Sequence, residues 1–534
     1  MAAAALAAAL LWAGPAPATK LLSDQQQLTA SGGGTDARGT QAAYNSKRRQ
    51  YLVVYAVSAA GDSEIFARRL DDLGIPIDGP IQVTNTPGAG SASEPVVAYD
   101  RKTNSYLVAY VADGVAFAGE VEVLAQRIEA DGGTRGSPIQ VSDIGEDADL
   151  DRGPVGPIAI AHNGDDDQFL VAWSGDDLAD DEFEIEARRL GAPGNPIGAE
   201  IAVSTTLGAE RDAHSPSVTY NPESRDYLVV WEDDGFGADE ETEVFGQRVN
   251  SAGVPVGGDD FRISQTGPDG LAELSATLPS AAANTKSGDY LVAFSATLST
   301  AGDREIKIQP LDPDGGAIVG DDIRISDAGP EGDPNRDAIA PRVAFSPSAR
   351  QFLVAYAADD LGVDDEFEVY AQRVGADGSE RGDNDVRVSQ IGPEGNPDVG
   401  VGPAPPPPVG IAVNNQLSEW VVSYWGEGAA DEIFDAYSRR VGLLGKCRGK
   451  PARVGGPGRD LIKLGKGRDV IAGRGGPDNI RGGKGKDKLC GGKGKDRLSG
   501  GRGKDKFSGG KGRDRCIGGK GRDKAKGCEA RKSL

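Results

Sequence analysis

The chain has 534 residues, 38% of them hydrophobic, with 77 Gly, 32 Pro, 5 Trp and 1 Met, and a formal charge of −24. That length holds one large domain and a smaller one, and the Gly and Pro content argues for short strands and turns over long helices. Past the first residues no apolar stretch is long enough to span a bilayer, so a transmembrane segment is not expected.

The start, "MAAAALAAALLWAGPAPATK", reads as a secretory h-region closing on the A-x-A site Ala16-Pro17-Ala18, so residues 1–18 are expected to be a signal peptide and the protein secreted, extracellular and bacterial. The charge is divided. From Cys447 onward there are 27 Lys+Arg against 9 Asp+Glu, a net of +18, whereas residues 1–446 carry 31 against 73, a net of −42.

The acidic part repeats itself. The core phrase appears as "YLVVY" at Tyr51, "YLVAY" at Tyr106, "FLVAW" at Phe169, "YLVVW" at Tyr227, "YLVAF" at Tyr290, "FLVAY" at Phe352 and "WVVSY" at Trp420, at intervals of 55, 63, 58, 63, 62 and 68 residues. Around each lie further runs of strand length and β-branched or aromatic content, giving four strands, A to D, per unit. Four-stranded units in a closed ring make a β-propeller. The seventh unit lacks a D strand, and an unmatched D-like run, "QQLT" (Gln26 to Thr29), precedes the first A strand, so the N-terminus is expected to complete the last blade. These units resemble bacterial propeller repeats generally, over residues 24–442, a likeness that speaks to architecture and not to function.

Strand alternation places the B–C and D–A loops on one side, and both sets are acidic, as in "SGDDLADDEFE" (Ser174) and "DIGEDADLDRG" (Asp143). A cation or a basic partner would suit such a rim, the basic tail among the candidates; a merely soluble acidic surface is the rival reading. Enzyme chemistry has little support. His162 and His214 read as structural, and no G-x-S-x-G elbow or sialidase Asp-box occurs. The Glu opening strand C recurs (Glu64, Glu122, Glu184, Glu243, Glu305, Glu368), with an Arg five residues on (Arg69, Arg127, Arg189, Arg248, Arg373). A residue repeated around a ring serves packing or blade-to-blade pairing, because catalysis needs one copy.

After an expected linker, 443–456, the tail runs in nines from Pro457: "PGRDLIKLG", "KGRDVIAGR", "GGPDNIRGG", "KGKDKLCGG" and four more, with aspartates at Asp460, Asp469, Asp478, Asp487, Asp496, Asp505, Asp514 and Asp523. Two residues after each stands Ile462, Ile471, Ile480, Leu489, Leu498, Phe507, Cys516 or Ala525. This is similar to the hemolysin-type (RTX) repeat G-G-x-G-x-D-x-U-x, over about residues 455–527. The resemblance implies a parallel β-roll over 457–528, two repeats to a turn, in which the eight aspartates stack in two columns and bind Ca²⁺. Stacked carboxylates one strand spacing apart repel, and calcium accepts several oxygens. One apolar side chain in nine is a thin core, so metal should supply much of the folding energy. The sequence departs from the family in the Lys or Arg before most aspartates, which could neutralise them and weaken a dication's hold; a polyanion-binding cationic tail is the competing reading.

All four cysteines, Cys447, Cys490, Cys516 and Cys528, lie in the tail, and four allow three connectivities. Cys516 should face inward and Cys490 outward, since they hold adjacent positions of the repeat, and Cys516–Cys528 is the expected pair. The sequence therefore reads as an all-β, exported, calcium-binding, non-enzymatic monomer, with a seven-bladed β-propeller for recognition followed by a parallel β-roll of nonapeptide repeats. Its expected partners are calcium and a cell-surface polyanion or glycan, with no specific nucleic acid. An extracellular, glycan-directed propeller hydrolase with a calcium-stabilised tail is the alternative.

Overall fold

A computed structural model describes residues 18–29, 35–59, 62–85, 91–113, 121–144, 153–176, 183–204, 212–234, 241–266, 274–299, 302–327, 336–359, 367–391, 409–427 and 434–533, and every regular element in them is a β-strand. Residues 1–17, most of the expected signal peptide, lie outside the described residues.

Six of the seven sequence units form separate four-stranded antiparallel sheets; the first consists of Thr35–Asn45, Gln50–Ala59, Asp62–Asp71 and Ile81–Gln82. The expectation of seven like blades is corrected to six. The seventh unit contributes Val409–Asn414, Glu419–Glu427 and Phe434–Cys447 to a ten-stranded sheet that it shares with the tail. The reason is the missing D strand. The outer edge of Phe434–Cys447 is free for other partners, and the N-terminal strands Thr19–Leu21 and Gln26–Gln27 pair with it, with Gln26 opposite Ser438 and Thr19 opposite Leu443. The inner strand Val409–Asn414 of this composite unit packs between the inner strands of the sixth and first blades.

Each core phrase supplies strand B, which is buried on both faces: Tyr51, Leu52, Val53 and Val54 are all inaccessible, as are Tyr227, Leu228, Val229 and Val230. The A–B turns are tied by an Asn, Asp or, in the sixth blade, Ser at the end of strand A; Asn45 Oδ1, for example, accepts the amides of Lys47 and Arg48 at 3.0 and 2.8 Å. The strand-C glutamates act within blades. Glu122, Glu243, Glu305 and Glu368 each accept the hydroxyl of the Ser two residues past strand D, and that Ser accepts a strand-C amide, at 2.7 Å for Ser142 and Val123. The arginines five residues on act between blades. Arg69 reaches the Ala130 carbonyl (3.2 Å), Arg189 that of Ser251 (3.0 Å) and Arg248 that of Asp314 (3.3 Å). Arg440, the corresponding residue of the composite unit, donates to the Asp72 carbonyl of the first blade (3.2 Å).

Residues 443–456, expected as a linker, are largely strand: Phe434–Cys447 turns back on Lys450–Val454, which pairs in parallel with Val470–Gly475. From there the tail is a parallel roll in which each strand pairs with the one eighteen residues on, Ile471 beside Leu489 and Ile480 beside Leu498. Its other sheet runs Leu461–Lys463, Asn479–Lys484, Arg497–Arg502, Arg515–Lys520, Ala530–Lys532. Ile462, Ile471, Ile480, Leu489, Leu498, Phe507 and Cys516 are inaccessible and form the interior, which Leu417 of the propeller plugs at one end. The disulfides are Cys447–Cys490 and Cys516–Cys528, the second as expected, with Cys516 buried.

The roll sits on the A–B turn side of the propeller. Ser418 donates its amide to the Val454 carbonyl (2.9 Å), and buried Glu419 holds Arg453 at 2.8 Å while Asp72 holds it at 3.1 Å.

Candidate metal centre

Glycine makes the roll's turns possible. Gly485 and Gly503 have φ of 151° and 146°, and a Cβ on either would lie 1.4 Å from the carbonyl oxygen of the glycine one turn earlier. No side chain fits there, so the backbone approaches itself closely and its carbonyls crowd inward.

The structure brings the eight aspartates into two columns. The amides of Asp460, Asp478 and Asp496 donate to Oδ1 of Asp478, Asp496 and Asp514, each at 2.9 Å. In the other column Asp469, Asp487 and Asp505 donate to Oδ1 of Asp487, Asp505 and Asp523, at 3.0, 2.9 and 2.8 Å. The sequence pattern did not reveal this backbone ladder. It uses one oxygen of each carboxylate except those of Asp460 and Asp469, which begin the columns. The other, Oδ2, is buried with no hydrogen-bond partner in Asp478, Asp487, Asp496, Asp505, Asp514 and Asp523. In Asp460 it accepts the Gly456 amide at 2.7 Å, which satisfies that end of the column.

Five of the six orphaned oxygens, all but that of Asp505, have a backbone carbonyl oxygen beside them. At Gly473 a Cβ would lie 2.1 Å from Asp478 Oδ2 and 2.6 Å from the Gly491 carbonyl oxygen; at Gly491 the same distances separate it from Asp496 Oδ2 and the Gly509 carbonyl oxygen. Two acceptors converging with no donor between them fit a hard cation, for which carboxylate and carbonyl oxygens are the preferred ligands. Burial raises these carboxyls: Asp478 is pushed up to about 8, and Asp460 and Asp487 to about 6, with neighbouring aspartates adding to the rise at Asp478 and Asp487. The basic residues preceding them do not relieve this. Arg468, Lys486, Lys495, Lys504 and Arg513 are exposed, and among the described residues no ion pair joins them to the columns. Backbone alternation explains this, since the residue before an inward aspartate points outward.

The acidic stretches 145–152, 177–182, 235–240, 328–335 and 360–366 lie outside the described residues. The axial channel, about 240 Å³, is lined by the inner strands, and among the described residues Arg342 is the one charged residue of its lining. His162 packs at a tilt against Phe169 (4.7 Å between ring centres), and His214 lies 3.2 Å from the Ser174 hydroxyl.

Residues 454–489 and 491–525 match the family model of the RTX calcium-binding nonapeptide repeat (4 copies), so the tail is built of these repeats. No curated protein matches the chain. Among solved structures it is similar to the polysaccharide lyase Uly1 (10% identity, 79% of this chain and 94% of that one, TM-score 0.45). It is also similar to the Hadza microbial sialidase Hz136 (15%, 60% and 63%, 0.41) and to a GH43 endo-arabinanase from Bacillus licheniformis (14%, 56% and 97%, 0.32). Likenesses this distant carry no functional argument.

Proposed function

We propose that this is an exported calcium-binding protein whose roll, residues 457–528, holds Ca²⁺ between its turns through the two aspartate columns, while the propeller, residues 24–442, serves as a recognition module. One observation carries the reading: six stacked carboxylates each keep a buried oxygen with no donor. Asp478, Asp487, Asp496, Asp505, Asp514 and Asp523 are the ligands best placed, with Asp469 in the same columns and Asp460 at their satisfied end. Calcium replaces the protons these groups would otherwise hold and couples binding to folding. Because the flanking Lys and Arg raise the local positive potential, sites in the extracellular range of about 10⁻⁴–10⁻³ M are expected. Calorimetry and circular dichroism with Ca²⁺, and Mg²⁺ as control, test this on the full chain. A variant with Asn at Asp487, Asp496 and Asp505 should lose most of the calcium response, and an unchanged response in that variant would remove the assignment.

A specific observation favours a second role. Strand Leu461–Lys463 of the roll lies against the propeller's A–B turns, and the chamber there, about 510 Å³, is lined by Lys47, Arg49, Arg101, Lys286 and Lys463, with no carboxylate among the described residues. This supports binding of a cell-surface polyanion, which heparin retention that falls steeply with salt would show. A glycan-directed hydrolase would need a pair of carboxylates, and among the described residues lining the axial channel there is none.

A further inference from the structure

We infer that the propeller carries a transition-metal site of its own, formed by Asp100, His162 and Asp167 where the second and third blades meet. Asp100 ends the inner strand Ala92–Asp100, His162 is the penultimate residue of the neighbouring Pro154–Asn163, and Asp167 closes the turn that follows it. One ligand atom from each lies within 4.8 Å of the others, and His162 Nε2 stands 3.6 Å from Asp100 Oδ1. Ligands at about 2.0–2.2 Å from a tetrahedral ion lie about 3.3–3.6 Å from one another, so the ion would seat after a small inward movement of the third ligand.

Two independent features point to a ligand. His162 Nε2 and Asp167 Oδ1 are both buried and without a hydrogen-bond partner, although the side chains carrying them are 13% and 17% exposed. Asp100 Oδ1 already caps its turn, accepting the Lys102 amide at 2.6 Å, which fixes the carboxylate in place. The cation at hand is the exposed ammonium of Lys102, and it reaches the other oxygen of Asp167, Oδ2, at 2.9 Å. The residues also depart from their own repeat. The position of His162 is Tyr44, Tyr99 and Tyr220 in three blades and Ala283 and Phe345 in two, and that of Asp100 is Asn45, Asn163, Asn221 and Asn284, with Ser346 in the sixth. A turn cap needs only the amide, so the carboxylate in place of Asn and the imidazole in place of Tyr occur together at one blade junction. A nitrogen and two carboxylate oxygens suit Zn²⁺ or a similar borderline dication and not calcium, so this site is chemically distinct from the roll. It would staple two blades.

The test uses the full chain, freed of metal by chelation and then saturated with Ca²⁺ so that the roll is filled. Zn²⁺ should bind at one further equivalent and raise Tm, and Co²⁺ should give a ligand-field spectrum with nitrogen coordination. His162→Tyr installs the residue of the flanking blades and should abolish both signals while leaving the calcium response intact. Asp167→Asn is a second, fold-safe variant, because Asn104 holds the equivalent position at φ 60°, as Asp167 does; it should weaken Zn²⁺ at least tenfold. Absence of the extra equivalent in the wild type, or equal uptake by Asp167→Asn, overturns the site.

Discussion

At the scale of single residues, the aspartates of the roll are groups whose ordinary charge state is unfavourable where they stand. In the metal-free fold Asp478 sits near 8 and Asp487 near 6, whereas both return to the usual carboxylate range, near 4, when the chain unfolds. Between those values the folded roll holds protons that the unfolded chain releases, so stability falls as pH rises from about 4 to about 8. In chelator the melting temperature should therefore be higher at pH 5 than at pH 8. Calcium must displace the same protons, so its affinity should rise across that window, and calorimetry at the two pH values reads the sign directly. A melting temperature in chelator that climbs with pH would show these carboxyls to be paired in some other way. The positions of these residues were legible in the sequence because a nine-residue period fixes which of them face inward. Their ladder to the backbone was not, since an amide carries no sequence signature. Nor did the sequence show that the preceding Lys and Arg leave the columns unneutralised, which follows from alternation once the strand is placed. The pairing of Asp100 with His162 also needed the structure, because the two residues belong to different repeats.

At the scale of elements, the four-strand unit was readable because its B strand is an uninterrupted apolar run. Harder to read was the irregularity built into strand A. Five inner strands carry a residue with positive φ before a proline, at Glu94, Gly156, Ser215, Leu278 and Ala340, and the ladder shifts register there. A proline lacks the amide to continue the ladder, and the residue before it is left in a region where L-residues are strained. Gly156 is the copy that avoids this strain, with φ 70° and nothing within 4 Å of an added Cβ. Gly156→Ala should thus cost about 1 kcal/mol through backbone conformation alone, with no clash to confuse the reading. Denaturant unfolding that showed no loss would mean that the bulge relaxes. The strand-C glutamates illustrate a different limit of sequence reading. Their repetition correctly argued for architecture, yet the hydroxyl partner twenty or so residues on, Ser142 for Glu122, showed only once strand D lay beside strand C.

At the scale of the whole molecule, two domains of opposite charge proved to be joined by a shared sheet, where a linker was expected, and the sequence concealed this because the seventh unit's missing strand looked like an end. The junction is held by a buried cluster: Glu419, inaccessible, faces Arg453 at 2.8 Å and Arg440 at 3.5 Å. Neutralising it as Glu419→Gln leaves two guanidinium groups confined together and should cost about 3 kcal/mol of stability, read by chemical denaturation. An unaffected variant would mean that Asp72 alone suffices. The same junction also sets an order in time. Because Gln26 must find Ser438, the first residues of the described chain wait for nearly the last of the propeller before they can pair, and the roll's opening strand pairs with the far end of that same strand. Long loops cost little at equilibrium, since closure entropy grows only logarithmically, but they slow the search. Until synthesis passes Cys447, then, the first blade has neither its neighbour nor the Arg440 contact, and the molecule remains a row of sheets with two open ends.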